Sequence, residues 1–233
     1  MSDPRADPSK MLDLNSPVIA VTVGSESEES APRTFYIHKN LICSSSDYFK
    51  TIMGGEGVWK DCQNGQVSLK KQNPDIFAIY GHWLYFRRFE FGTDVFENER
   101  EFLQIAQALV LGDFICDSKF TNAVATAIRT KLDSLSAGPL PLFPGARVID
   151  YIYNETEDKS IAREVLVETY ARHGSREWLA ELKRTEDFTI PWQFLFDMVY
   201  EKLPVKLPPC IGRTGTYESV RPLTSWRPGM TRK

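Results

Sequence analysis

The chain has 233 residues, 42% of them hydrophobic and 25% charged, with a formal net charge of −3; this is the make-up of an ordinary globular protein and excludes a fibrous or wholly disordered one. Its apolar runs stop well short of the roughly 18 consecutive residues a membrane span needs, and the opening MSDPRADPSKMLDL lacks the basic-then-apolar layout of a secretory leader, so the expected setting is intracellular, cytoplasm or nucleus. A pI near 5.7 argues against nucleic-acid binding by the whole protein.

Residues 1–16 are polar, carry Pro4 and Pro8, and show no sustained periodicity, which predicts a flexible N-terminus. Pro17 then opens VIAVTVG, a β-branched run ending at Gly24. After a Ser/Glu-rich loop comes FYIHK, so the simplest reading is two strands joined by a polar connection. In LICSSSDYFKTIM the apolar residues Leu41, Ile42, Tyr48, Phe49, Ile52 and Met53 fall at three-and-four spacing around a serine cluster. That predicts two short helices meeting at Ser44 to Ser46. A third strand follows at QVSLK, where Val67 and Leu69 alternate with polar neighbours.

Asn73 and Pro74 form an N-cap and first-turn proline, and Ile76, Phe77, Ile79, Tyr80, Trp83 and Leu84 line one side of a helix running to about Phe86. Phe102, Ile105, Ala106 and Leu109 repeat the spacing, as do Phe120, Val124, Ala127 and Ile128 in a helix that Asp117 caps. The expected organisation is a compact α+β domain over 17–135 and a linker over 136–146, where SAGPLPLFPGA holds three prolines and two glycines. An all-helical region over 147–204 follows, with helices at Val148–Tyr153, Ile161–Tyr170, Ser175–Leu182 and Pro191–Leu203. Residues 205–233 carry six Lys/Arg against the single Glu218, a basic tail expected to be disordered.

Chemistry-bearing motifs are sparse. His38 stands five residues from Cys43, the pairing that can activate a thiolate, but no third group orients them, and a fold role for His38 outweighs a catalytic one. Cys43, Cys62, Cys116 and Cys210 are scattered, His82 and His173 stand alone, and no cluster has ligand spacing, so no metal and no cofactor is assigned. CIGRTGT looks like a phosphate-cradling phosphatase loop, yet the position six before Arg213 is Leu207 rather than the cysteine such a loop requires. GGEGVW lacks both the Lys-Ser/Thr of a P-loop and dinucleotide-turn spacing. More telling is the run holding Phe86, Phe89, Phe91 and Phe96 among Arg87, Arg88 and Glu90. It reads either as aromatics tucked onto the helical core or as a partner-binding patch, since aromatics and Arg are enriched at interface hot spots.

The order of elements and several local words resemble the BTB/POZ family, in the form common among fungal proteins, over roughly Pro17 to Leu135. FYIHKNLICSSSDYFKTIMGG is similar to the family's strand, His-Lys or His-Arg, short helix and Ser-x-Tyr/Phe-Phe pattern. GVWKDCQNGQVSLKKQNPDIFAIYGHWLY resembles its polar loop, Leu-bearing short strand and polar-Pro-Asp/Glu helix start. VIDYIYNETEDKS, LVETYARHGSREWL and PWQFLFDMVYEKL are similar to the helical extension of many fungal members. The resemblance implies a BTB/POZ fold, a small mixed sheet capped by helices, and a protein-interaction role: homodimers or hetero-oligomers, often with a cullin scaffold of a ubiquitin ligase as partner. It implies no small-molecule substrate, cofactor or membrane.

This chain reads Asn15-Ser16-Pro17 where members often carry an acidic residue that contributes to the dimer. For the hydrophobic-x-Glu motif of cullin adaptors it offers Val95-Phe96-Glu97. The candidate protein-binding residues are therefore Tyr48, Phe89, Phe91, Val95, Phe96 and Glu97. The competing readings are a transcription- or chromatin-associated regulator contacting nucleic acid through the basic tail, and an enzyme; for the latter the constellation of nucleophile, base and orienting group is missing.

Overall fold

The computed structural model describes residues 15–25, 31–54, 62–63, 66–88, 99–135, 143–184 and 189–203. β1 (Val18–Val23) alternates Ile19, Val21 and Val23 inward with Val18, Ala20 and Thr22 on the other face, the period of two that a half-buried strand requires. It pairs antiparallel with β2 (Arg33–His38), Val21 opposite Phe35. Two helices, α1 (Lys39–Ser45) and α2 (Asp47–Gly54), then carry the chain back across the sheet, so that β4 (Gln66–Leu69) lies parallel to β1, Val21 opposite Val67. Parallel neighbours need such a crossover. The sequence reading expected three strands; a fourth, the two-residue β3 (Cys62–Gln63), pairs antiparallel with β4 and gives the order β2-β1-β4-β3. Two residues are too few to leave a period-two pattern. β1 ends at Gly24, whose φ of 93° is open to glycine, and whose N–H reaches the Leu69 carbonyl at 3.0 Å.

The helices start where their caps allow. Asn73 accepts the Asp75 N–H at 2.8 Å ahead of α3 (Pro74–Phe86). Asp117 accepts the Phe120 N–H at 3.0 Å ahead of α5 (Ser118–Leu135). Ser160 accepts the Ala162 N–H at 3.1 Å ahead of α7 (Ile161–His173). Each satisfies a backbone donor that a helix start leaves without a partner. α1 takes its cap from elsewhere: Ser16 Oγ accepts the Asn40 N–H at 3.0 Å, and the Pro17 carbonyl accepts the Lys39 N–H at 2.8 Å. The residues ahead of β1 thus hold the first helix in place.

α3 buries Ile76, Phe77, Tyr80, Trp83 and Leu84, and its rings mesh with those of neighbouring elements. Phe77 meets Phe35 at 5.0 Å between centroids, and Phe120 meets Tyr80 at 5.0 Å and Trp83 at 5.2 Å. α4 (Glu99–Phe114) packs against α3 and α5, and also against α6 (Ala146–Glu155) and α7. One buried cluster therefore runs from Ile19 to Phe194. At its far end Phe143 stacks on Trp178 of α8 (Arg176–Arg184) at 5.0 Å, and Tyr170 packs edge-on against Trp178 at 5.5 Å and against Phe194 of α9 (Trp192–Lys202) at 5.2 Å. Among the described residues, no helix is long and apolar enough to cross a membrane.

Candidate interaction surface

α2 is set by its N-terminus. Ser46 is fully buried, accepts the Phe49 N–H at 3.2 Å, and donates its hydroxyl to the Ile115 carbonyl in the α4–α5 turn. The Asp47 and Tyr48 N–H groups reach the Cys116 and Ile115 carbonyls at 3.3 and 3.4 Å. These bonds between the start of one helix and the end of another place the half-buried Tyr48 ring beside exposed Phe114, 5.2 Å between centroids. Tyr48 and Phe114 form an aromatic pair whose outer part faces solvent, the mix of rigid ring and polar hydroxyl that protein interfaces favour.

Of the candidate residues from sequence, Tyr48 alone is among the described ones. Phe89, Phe91, Val95, Phe96 and Glu97 lie outside them. The chain leaves α3 at Arg87, a non-glycine residue at φ 53° whose guanidinium lies 4.3 Å over the Trp83 ring, and re-enters the described structure at Glu99. Tyr48 contacts Phe114, the last residue of α4, about 22 Å along the helix axis from its first residue, Glu99, at 1.5 Å per residue.

His38 and Cys43 are each engaged elsewhere. The His38 ring Nδ1 lies 2.8 Å from the Tyr85 hydroxyl oxygen, which also accepts the His38 backbone N–H at 3.2 Å. Cys43 Sγ donates to the Phe49 carbonyl at 3.6 Å, and burial pushes its thiol up, away from the thiolate a nucleophile needs. His38 therefore fastens the β2–α1 turn to α3, 47 residues away, rather than hydrogen-bonding locally. His82 and His173 are not isolated: His82 packs edge-on against Phe86 at 4.7 Å, and His173 Nε2 lies 3.4 Å from Asp133 Oδ1. The His82 pairing is an i, i+4 contact within α3, whereas those of His38 and His173 join distant parts of the chain and leave no trace in local spacing. Among the described residues, no group of three His, Cys, Asp or Glu side chains is placed to hold a metal ion.

A cleft of about 560 Å³ opens beside α7, lined in part by Arg129, Arg163, Glu168 and Arg172. Its arginines already face carboxylates: Glu168 holds Arg129 at 2.6 Å and Arg172 at 2.8 Å, and Arg163 holds Asp158 at 2.7 Å.

Sequence reasoning passed over two exposed features. Phe114 ends a helix whose other apolar residues are buried or, like Leu103, partly buried. α9 exposes Trp192, Leu195, Phe196, Val199 and Tyr200 while burying Phe194. The available signal was that its apolar residues fill more than one face, which an ordinary amphipathic surface helix does not do.

The family model described as the BTB/POZ domain matches residues 21–118. No curated protein matches the chain. Among solved structures, the BTB domain of zebrafish PATZ1 is similar at 13% identity with a TM-score of 0.34, over 48% of this chain and 75% of that one.

Proposed function

Since residues 21–118 form a BTB/POZ domain, a protein–protein interaction and oligomerisation module, we propose that this chain acts by holding proteins together, as an adaptor that joins a client to a cullin-type ubiquitin ligase scaffold. The family match carries the reading. The scaffold side would be the segment after α3, with Phe89, Phe91 and the hydrophobic-x-Glu run Val95-Phe96-Glu97, together with Tyr48. The helices from α6 onward would be the client side. Aromatic side chains with a polar or charged partner are what interface hot spots select.

Light scattering coupled to size exclusion tests this, first on the chain alone and then mixed with the N-terminal half of a cullin. A co-eluting complex, weakened at least tenfold by Phe96→Ala with Glu97→Ala, is the expected result. A chain that ignores the cullin at tens of micromolar overturns the adaptor role. A second reading rests on the six Lys/Arg of residues 205–233: nucleic-acid contact through the tail, whose signature is salt-dependent binding that disappears when 205–233 is deleted.

A further inference from the structure

α9 carries two apolar faces, and only one is covered by this chain. On the covered face Phe194 is wholly buried against Tyr153 and Tyr170, and Asp197 accepts the Tyr153 hydroxyl at 2.6 Å. On the other face Trp192 is 68% exposed, Leu195 49%, Phe196 58%, Val199 58% and Tyr200 72%. The rings of Trp192, Phe196 and Tyr200 touch in series, 6.3 and 6.2 Å between centroids, and so make a continuous aromatic ridge along the i, i+4 row. Leu195 and Val199 form the parallel aliphatic row beside it.

This face is complementary to itself. When two copies of α9 lie antiparallel about a two-fold axis midway between positions 197 and 198, Phe196 of one copy falls level with Val199 of the other near the centre of the face. The two residues share one layer across the axis, as facing core positions do in an antiparallel helix pair. In an isologous pairing the same contact is made twice. With about 150–250 Å² per aromatic side chain and the exposures above, the five residues offer about 600 Å² per copy. An interface that covered all five in both copies would bury about 1,200 Å² in total, the lower end of specific interfaces, and the patch stands at the top of the range of the largest apolar patch on an ordinary monomer, about 300–600 Å².

The geometry points to α9 as a self-association surface that takes the α9 of a second copy in antiparallel register. It lies outside residues 21–118 and is independent of any pairing those residues make. A chain with both surfaces could link copies beyond a dimer.

Sedimentation velocity on the full chain across a wide concentration range tests it, using Phe196→Glu and Val199→Lys. Both residues are exposed, so far-UV circular dichroism and the melting temperature serve as fold controls. Each single variant is expected to lower the limiting mass about twofold. Mixing the two variants should restore association that neither shows alone, because the register places Glu at 196 of one copy against Lys at 199 of the other. A wild-type chain that stays monomeric, a mass unchanged by Phe196→Glu, or a mixture that fails to recover each overturns the proposal. None of these results depends on whether a cullin binds.

Discussion

The Tyr80 hydroxyl donates to the Asp117 carboxylate at 3.0 Å, inside a core where both side chains are wholly buried. The other oxygen of that carboxylate accepts the Phe120 N–H at 3.0 Å, and the Asp117 carbonyl accepts the Thr121 hydroxyl at 3.0 Å. One residue therefore caps α5 and ties it to α3. Burial first, and Asp117 second, push the Tyr80 phenol well above its ordinary value, which keeps it a donor at any physiological pH.

Tyr80→Phe leaves one Asp117 oxygen without its buried donor, and the expected loss is about 1–3 kcal/mol. Asp117→Ala removes the helix cap and also leaves the Tyr80 hydroxyl without a partner, for an expected loss of about 2–4 kcal/mol. Urea denaturation of the two variants checks both figures. A Tyr80→Phe protein within 0.5 kcal/mol of the parent would show that the bond contributes nothing.

Phe49 is wholly buried and packs edge-on against Tyr48 at 5.3 Å. Phe49→Ala should cost about 3–5 kcal/mol, as for other aromatic truncations in cores. It should also loosen the seat of Tyr48, and urea denaturation of the variant measures the loss.

Gly112 in α4 faces α5 so closely that an added Cβ would stand 2.3 Å from Thr121 Oγ1 and 3.2 Å from the Phe120 ring. Gly112→Ala forces the two helices apart, at an expected cost of about 1–3 kcal/mol. In a Thr121→Ala background the same change should be at least about 1 kcal/mol cheaper, a coupling that a double-mutant cycle measures directly. Equal costs in both backgrounds would remove Thr121 as the obstacle.

Burial, then Glu155, pushes the Tyr151 phenol up to about 12; burial also dominates the upward shifts of Tyr80 and of Tyr153, the latter reinforced by Asp197. The unfolded chain releases these protons near pH 10 while the folded one holds them longer. The stabilisation is therefore fully present below about pH 10 and is lost as pH rises through the folded values. Tyrosinate absorbance should rise together with loss of the helical circular dichroism signal above pH 10. Complete ionisation of all tyrosines at pH 10 in a chain that stays helical would contradict it.

The element pattern is local and was legible as such. Asn73-Pro74 marks the start of α3, Asp117 that of α5, and the three-and-four spacing around Phe102 and Phe120 marks α4 and α5, because helix and strand periods and caps depend on residues within one or two turns. The four helices of the C-terminal region were equally readable from Val148 to Leu203. The candidate site was less so. Tyr48 was named from sequence, but its partner Phe114 comes from 66 residues away, and Phe89 to Glu97 fall outside the described residues.

By itself the sequence determined the helices and the three longer strands, the caps at Asn73 and Asp117, and which residues are apolar enough to be core. Only the tertiary structure decided that β4 lies parallel beside β1, that Ser16 caps a helix from outside it, and that His38 is held by Tyr85. It also decided which side of α9 is covered. Phe194 and Phe196 are the same residue two positions apart, and one is buried while the other is exposed because α6 and α7 stand on one side of the helix. Burial is a property of what arrives from elsewhere in the chain, and no local pattern carries that information.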